Sequence, residues 1–391
     1  MISPRPETPP RRRRRAGVLA ATTLVLSGTV VAIGLTPASA AACGALSYQA
    51  DATLSGSTWT ARRGSTAVYT GTDMRAAVQA AISSLPAGRT AKQNVLVRGS
   101  GSVSAGSRIS LPSYTVLDVC GTIDVTGTGS GDQAPVYSRG THDVEVAHLS
   151  VTGAPLYGIF MRSVSNLILG QIDMRLSRGL GIRIDNYGDK SVPARNIRLD
   201  NAYVSGASSH AVETYGVDGL TVGTVTARNV GESGLLLNQT VNATVGTVDA
   251  DNAGAGTGYA AFRMANRNGM IGSGYPTNIR VGTVKARGGG RGVFCVSESG
   301  GAVIDRVDIA GTGNNAVLIE NCHNVVLAGT SGTISGGGEV RISARTEFAP
   351  SSDIRLQNLT VSNTGIRWSP CTGTNNTISN VTRSNSTLTW C

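Results

Sequence analysis

The sequence predicts an all-β fold, a parallel β-solenoid built from many short strands. Glycine supplies 51 of the 391 residues, and Val, Ile, Thr, Asn and Ser are abundant. No long helical period is present, whereas short runs that alternate apolar and polar residues recur along the chain. Short strands separated by glycine-rich turns are typical of all-β proteins.

The repeated unit is clearest in "GLGIRIDNYG" (Gly179–Gly188), where charged residues alternate with Ile182 and Ile184. Comparable strands begin at intervals of 23 to 31 residues, at Gly158, Gly181, Ala211, Gly234, Ala261, Gly292, Ala316, Glu339 and Gly365. A second strand-like run, such as "NIRLDNAYV", follows within the unit. Repeats of about 20 to 50 residues indicate solenoids, propellers or arrays, and two strands are too few for a propeller blade. Each unit is therefore predicted to be one coil of a solenoid.

One face of each strand is expected to lie in a continuous apolar core, because successive side chains on a strand point to opposite sides. The predicted inward residues are Ile182, Ile184, Val212, Thr214, Leu235, Leu237, Phe262, Met264, Val317, Ile319, Val340 and Ile342.

The two ends of the solenoid have their own sequence signals. "GTDMRAAVQAAISSLPAG" predicts an amphipathic helix at about residues 72–85, which is expected to cap the open end of the first coil. A polar, strand-like segment at about residues 371–391 is expected to close the other end. Residues 42–391 contain no evident linker and are predicted to form one domain.

Residues 1–41 predict a signal peptide. Arg11–Arg15 precede the apolar run "AGVLAATTLVLSGTVVAIGL", and small residues follow near Ala40. We therefore expect a secreted, extracellular protein that has no membrane association after cleavage. The signal peptide carries half of the formal net charge of +10, no basic run remains and aromatic residues make up 4% of the chain, so nucleic acid is not an expected partner. The sequence does not predict an oligomeric state.

Six cysteines lie after the predicted cleavage point, an even number that suits an oxidising compartment. Their spacing favours the pairs Cys43–Cys120, Cys295–Cys322 and Cys371–Cys391, although six cysteines allow fifteen pairings. No CxxC motif or His/Cys cluster is present, so neither a metal site nor a cofactor is expected.

The stretch "ISLPSYTVLDVCGTIDV", the leading helix and the coils punctuated by Asn and Gly resemble the right-handed parallel β-helix proteins of the pectin lyase-like superfamily. The resemblance covers nearly all of residues 42–391. It implies a single-domain right-handed parallel β-helix and a polysaccharide as the leading partner. The superfamily contains lyases, glycoside hydrolases, epimerases, esterases and adhesins, so the resemblance does not choose the chemistry.

Outward residues of the coils are expected to form ladders whose rungs are roughly 4.8 Å apart. The first predicted ladder is Phe160, Arg183, Glu213, Leu236, Arg263, Phe294, Leu318, Arg341 and Arg367. The second is Arg162, Asp185, Tyr215, Asn238, Ala265, Val296, Glu320, Ser343 and Ser369. The candidate substrate-binding residues are Arg162, Asn186, Asn238, Arg263, Asn266, Arg267 and Glu320.

The arginine-rich ladders favour a lyase that cleaves a uronate-containing polysaccharide by β-elimination. Arg183 and Arg263 would neutralise a uronate carboxylate by bidentate pairing. Tyr215, His210 or an arginine whose pKa is lowered by neighbouring cations would exchange protons with the substrate. The candidate catalytic residues are Arg183, Asp185, His210, Glu213 and Tyr215.

Two other functions compete with the lyase. Asp185 and Glu213 are expected to be diagonal neighbours with Cβ atoms roughly 7–8 Å apart, near the roughly 6.5–9.5 Å between the carboxyl groups of an inverting glycoside hydrolase. A non-catalytic glycan-binding β-helix is the third possibility, and Arg183 and Glu213 would then form a surface ion pair of small effect.

Overall fold

The computed structural model describes residues 41–186, 191–192 and 194–391. The first part of the chain contains β1 (Ala50–Ser55), β2 (Thr58–Arg63), β3 (Thr66–Gly71), α1 (Met74–Ser83), β4 (Gln93–Arg98), β5 (Gly101–Ser104), β6 (Ile109–Ser110), β7 (Thr115–Thr126), β8 (Val136–Arg139) and β9 (His142–Gly153). The middle contains β10 (Tyr157–Arg162), β11 (Ser165–Leu176), β12 (Leu180–Asp185), β13 (Ala194–Ser205), β14 (Val212–Tyr215), β15 (Val217–Arg228), β16 (Leu235–Asn238), β17 (Val241–Asp251), β18 (Ala260–Ala265) and β19 (Ile279–Arg287). The last part contains β20 (Arg291–Cys295), β21 (Ser299–Glu320), β22 (Cys322–Ser343), β23 (Ser352–Ser362), β24 (Ile366–Trp368), β25 (Thr377–Ser384) and β26 (Leu388–Thr389).

Successive coils pair in parallel and in register, which makes the fold a right-handed parallel β-helix. Strands β8, β10, β12, β14, β16, β18 and β20 pair in that order along one face. The longer strands β9, β11, β13, β15, β17, β19 and β21 pair in the same way along another face. All twelve of the predicted inward residues are buried.

The turns between the two faces explain why asparagine recurs in the sequence. Asn166, Asn196 and Asn242 have φ angles of 53°, 53° and 55°, a left-handed conformation that Asn tolerates better than most residues. Their side chains also bond between coils: Asn196 Nδ2 donates to Asn166 Oδ1 at 3.1 Å. Stacked asparagines therefore fix both the turn conformation and the register of neighbouring coils.

The N-terminal region departs from the coil pattern. Strands β1, β2 and β3 form an antiparallel meander that the repeat pattern did not predict. Helix α1 lies within the predicted 72–85 segment, and the Asp73 side chain accepts a hydrogen bond from the backbone N–H of Ala76 at its start. The helix buries Met74, Val78 and Ile82. Its role as the cap of the solenoid stays a prediction.

Three disulfides join Cys43 to Cys120, Cys295 to Cys322 and Cys371 to Cys391, the pairs that the spacing favoured. They suit an extracellular protein. The predicted signal peptide lies almost entirely outside the described residues. No helix in the described ranges is long and apolar enough to cross a membrane.

Candidate active site

The outward side of strands β10, β12, β14, β16, β18 and β20, which we call the ladder face, carries most of the predicted site residues. Arg183 pairs in register with Glu213, Glu213 with Leu236, and Leu236 with Arg263. The order of residues predicted along the first ladder is therefore the observed one. What the ladder did not predict is how the side chains bond to one another.

Asp185 lies inside a cluster of arginines and has no exposed surface. Arg162 donates from Nε to Oδ1 at 2.7 Å, and Arg183 donates from Nε to Oδ2 at 2.7 Å. Arg162 also donates to Asp132 at 2.6 Å. The sequence places Asp185 among the residues that meet a substrate, but the structure encloses it, because two long arginine side chains fold across it. Its observed contacts hold Arg162 and Arg183 in place.

Glu213 is 7% exposed, and both of its carboxylate oxygens accept hydrogen bonds. Arg183 Nη1 donates to Oε2 at 2.6 Å, and Asn238 Nδ2 donates to Oε1 at 3.0 Å. Asn266 Nδ2 in turn donates to Asn238 Oδ1 at 2.9 Å, which extends the network by one coil. Burial raises the pKa of Glu213, and the charge of Arg183 offsets part of that rise. A carboxyl group with a raised pKa is suited to exchanging protons.

His210 is buried, and both of its ring nitrogens contact groups of the protein. Its Nδ1 accepts the backbone N–H of Ser233 at 2.9 Å, and its Nε2 lies 3.0 Å from Glu232 Oε2. Burial, together with the charges of Arg263 and Arg183, lowers the pKa of His210 to about 3. The sequence names His210 as a residue that exchanges protons with substrate. In the structure Nδ1 accepts a backbone N–H, so only Nε2 can carry a proton. That nitrogen points at Glu232 and not at solvent.

Arg263 stands between two aromatic rings on the ladder face. Its Cζ atom lies 4.8 Å from the centre of the Tyr259 ring and 5.1 Å from the centre of the Phe294 ring. It forms no ion pair within the described part of the chain, and its Nε has no partner there. Burial lowers the pKa of Arg263, while Tyr259 and the carboxylates of Glu232 and Glu213 raise it in part. A partly buried cation without an ion pair favours the binding of an anionic group.

The remaining predicted residues lie in two different places. Tyr215 occupies the rung between Asp185 and Asn238 and is partly exposed, so it belongs to the ladder face. Asn186 is buried beside Gly216, where a Cβ atom would come within 2.1 Å of its Oδ1.

Arg267 and Glu320 make their contacts away from this cluster. Arg267 pairs with Glu298 at 2.9 Å, and Glu320 pairs with Arg345 at 2.8 Å. The predicted substrate-binding set is therefore divided. Arg162, Asn238, Arg263 and Asn266 lie at the group formed by Asp185 and Glu213, Asn186 is buried beside Gly216, and Arg267 and Glu320 make their contacts elsewhere.

Two residues of the cluster, Glu232 and Tyr259, were not among the predicted site residues. Each stands two positions before a predicted strand start, Gly234 or Ala261, as His210 stands one position before Ala211. The Tyr259 ring lies edge-on to His210, with 5.4 Å between the ring centres. Recurrence of ionisable or aromatic residues just before strand starts is the sequence signal that could have found them.

The described residues contain one group with the spacing of metal ligands, formed by Cys43, Asp118 and Cys120. Cys43 and Cys120 are joined in a disulfide, so they offer no thiolate to a metal.

No protein-family model matches the sequence, and a search of curated proteins finds no significant match. Among solved structures, the A-module of the mannuronan C-5 epimerase AlgE6 from Azotobacter vinelandii aligns with a TM-score of 0.51 and 16% identity, over 81% of this chain and 95% of that chain. PfbA, a surface adhesin of Streptococcus pneumoniae, aligns with a TM-score of 0.46 and 13% identity, over 80% of this chain and 89% of that chain. The similarity to the A-module is one of fold, and it agrees with the pectin lyase-like parallel β-helix that the sequence indicated.

Proposed function

We propose that the ladder face binds an acidic polysaccharide and cleaves it by β-elimination at a uronate residue. The observation that carries this proposal is the environment of Arg263, a partly buried guanidinium that has aromatic neighbours and no ion pair among the described residues. A carboxylate of the substrate would supply the counter-charge that the protein does not. Neutralising that carboxylate also stabilises the negative charge that develops when the neighbouring C5 proton is removed.

The residues around Arg263 provide the other groups that elimination requires. Glu232 has a partly exposed side chain and lies close enough to Arg263 to raise the pKa of Arg263. We assign to Glu232 the removal of the C5 proton, which moves to its carboxylate. As the C4–C5 double bond forms, the C4–O bond breaks and the hydroxyl of Tyr259 donates its proton to the leaving oxygen. Proton exchange with water then restores both side chains.

His210 and Ser209 are positioning residues in this mechanism. His210 Nε2 lies 3.0 Å from Glu232 Oε2, and Ser209 Oγ donates to the same oxygen at 2.5 Å. These bonds hold one carboxylate oxygen and leave the other to meet the substrate. Arg183 and Glu213 lie next to this group: the charge of Arg183 acts on His210, and the charge of Glu232 acts on Glu213.

Inverting hydrolysis by Asp185 and Glu213 has less support. Asp185 has no exposed surface, and both oxygens of each carboxylate accept hydrogen bonds from neighbouring side chains. A non-catalytic glycan-binding role would use Arg263 in the same way but would require no group that accepts a proton.

The test is incubation of the purified protein with polygalacturonate, alginate and hyaluronate. Two readouts are followed: the ultraviolet absorbance of an unsaturated product and the number of new reducing ends. We expect both to rise together on one of these polymers, and Arg263→Ala and Glu232→Gln to abolish the rise. Arg367→Ala is the matched control, because Arg367 stands exposed on the same ladder farther along the solenoid.

Other outcomes would replace the proposal. Reducing ends without the absorbance would indicate a hydrolase, and binding without any product would indicate a glycan-binding protein. Incorporation of solvent deuterium at C5 without chain cleavage would indicate an epimerase, the activity named for the AlgE6 module.

A further inference from the structure

A second cleft lies beyond the end of β18, beside the loop formed by residues 266–278. Its volume is about 560 Å³, and its lining includes Arg267, Tyr275, Glu298, His323, Ser352 and Asp353. Small-molecule sites commonly have volumes of roughly 300–1,000 Å³. The lining contains none of Arg183, Glu213, Glu232, Tyr259 or Arg263, so the cleft is separate from the candidate active site.

The loop that forms one wall of this cleft interrupts the regular coil. In the preceding coil, β16 ends at Asn238 and β17 begins at Val241, whereas residues 266–278 separate β18 from β19. The longer loop is ordered by its own hydrogen bonds. Asn278 Nδ2 donates to the backbone oxygens of Gly269 at 2.7 Å and Pro276 at 2.8 Å. An ordered loop added to a regular scaffold is a common carrier of binding function.

Two residues at the rim of the cleft have a left-handed backbone conformation. Arg267 has a φ angle of 61° and Glu298 a φ angle of 55°, although neither is a glycine or an asparagine. A left-handed conformation costs such residues on the order of 1–2 kcal/mol each. The two strained residues lie on adjacent coils, and their side chains pair at 2.9 Å.

Two rings inside the cleft lie against each other at a tilt. The rings of Tyr275 and His323 lie with 4.9 Å between their centres and an interplanar angle of 34°. The Tyr275 hydroxyl donates to the backbone oxygen of Glu298, and Asn324 Nδ2 donates to the backbone oxygen of Tyr275 at 2.8 Å. His323 Nδ1 lies 3.0 Å from Ser352 Oγ. Both rings are therefore fixed by contacts on neighbouring coils before any ligand arrives.

The charges of the cleft disfavour an anionic ligand, whereas those of the ladder face favour one. Arg267 is paired with Glu298, so the two charges offset each other. Burial lowers the pKa of His323, which leaves the ring neutral at pH 7. Asp353 forms no ion pair with any described residue and accepts a hydrogen bond from Asn375 Nδ2 at 3.2 Å. The lining therefore has a net negative charge, which disfavours a uronate.

We propose that this cleft is a second carbohydrate-binding site, specific for an uncharged sugar unit. The sugar ring would stack on the ring of Tyr275, and its hydroxyl groups would bond to Asp353 and Ser352. Flat apolar surfaces with a few fixed polar groups provide this kind of recognition. The inference is independent of the function proposed for the ladder face.

The test is titration of the whole protein with xylohexaose, mannohexaose and cellohexaose, and with hexagalacturonate for comparison, by isothermal calorimetry at roughly millimolar concentrations. We expect at least one neutral hexasaccharide to bind. Tyr275→Leu and Asp353→Ala should each weaken that binding by about tenfold or more, which corresponds to roughly 1.4 kcal/mol. Tyr275→Phe keeps the ring and should bind nearly as well as the original protein.

The control is Arg263→Ala, which removes the cation of the ladder face and should leave binding of the neutral hexasaccharide unchanged. The proposal is overturned if no neutral hexasaccharide binds. It is also overturned if Arg263→Ala abolishes the binding of the neutral sugar while Tyr275→Leu and Asp353→Ala, folded by circular dichroism, retain it.

Discussion

His210 and Glu232 form a pair in which the histidine orients the carboxylate. His210 Nδ1 accepts the backbone N–H of Ser233, so the ring carries its proton on Nε2, which lies 3.0 Å from Glu232 Oε2. The ring is buried, whereas the Glu232 side chain is 27% exposed. The group that can reach a substrate is therefore Glu232, and His210 acts through it.

This arrangement predicts a particular kinetic effect for His210→Ala. The carboxylate would lose one of the bonds that orient it, and misplacement of a reacting group costs on the order of 100-fold in rate. We expect kcat on an acidic polysaccharide to fall by about that factor with little change in KM. His323→Ala, which removes a histidine of the second cleft, is the control. A change confined to KM would contradict the assignment of His210 as a positioning residue.

The pKa of His210 also predicts how stability depends on pH. Burial lowers this pKa to about 3, whereas the unfolded chain has a histidine pKa of about 6.5. Unfolding therefore takes up a proton between these values, and the stabilising contribution is complete above about pH 6.5 and is lost as the pH falls towards 3. The free energy of unfolding in urea should fall more steeply with decreasing pH for the original protein than for His210→Gln. Parallel curves for the two proteins would contradict the lowered pKa.

Asp185→Asn tests whether the enclosed carboxylate is structural. Its removal would leave Arg162 and Arg183 without the charge that both of them contact, and breaking a buried ion pair from one side costs about 3–5 kcal/mol. Asp132→Asn is the matched control, because the Asp132 side chain contacts the same Arg162 but is 40% exposed. We expect its cost to be about 1 kcal/mol or less. Equal losses in chemical denaturation would contradict the structural role of Asp185.

The activity should depend more on the shape of the side chain at position 263 than on its charge. Arg263→Ala is expected to lower kcat/KM on an acidic polysaccharide by on the order of 100- to 1,000-fold, the effect of removing a group that stabilises developing charge. Arg263→Lys keeps the charge but loses bidentate pairing and the planar contact with Tyr259 and Phe294, so it should recover only part of the activity. Full activity of the lysine variant would show that only the net charge matters.

The register of the coils could be predicted from the sequence because it depends on a pattern of period two. Ile182, Val212 and Leu235 stack in the core, and Arg183, Glu213 and Leu236 stack outside, since a shift by one residue would reverse the two sets. The antiparallel meander β1–β3 lies outside the repeat, and the coil pattern contains no information about it.

The bonds within the site could not be predicted in this way. The alternating pattern predicts the position of each residue on a ladder. The conformations of the long Arg162 and Arg183 side chains depend instead on their partners in neighbouring coils. Those conformations enclose Asp185. Glu232 and Tyr259 precede the strands, so the alternating pattern does not include them.

The central claim is that the ladder face recognises and uses a substrate carboxylate. The direct test compares the polymer that proves most active with the same polymer after its carboxyl groups have been reduced to primary alcohols, and follows the appearance of unsaturated product for both. We expect product from the uronate form and none from the reduced form, with Arg263→Ala inactive on both. Equal cleavage of the two forms would contradict the account.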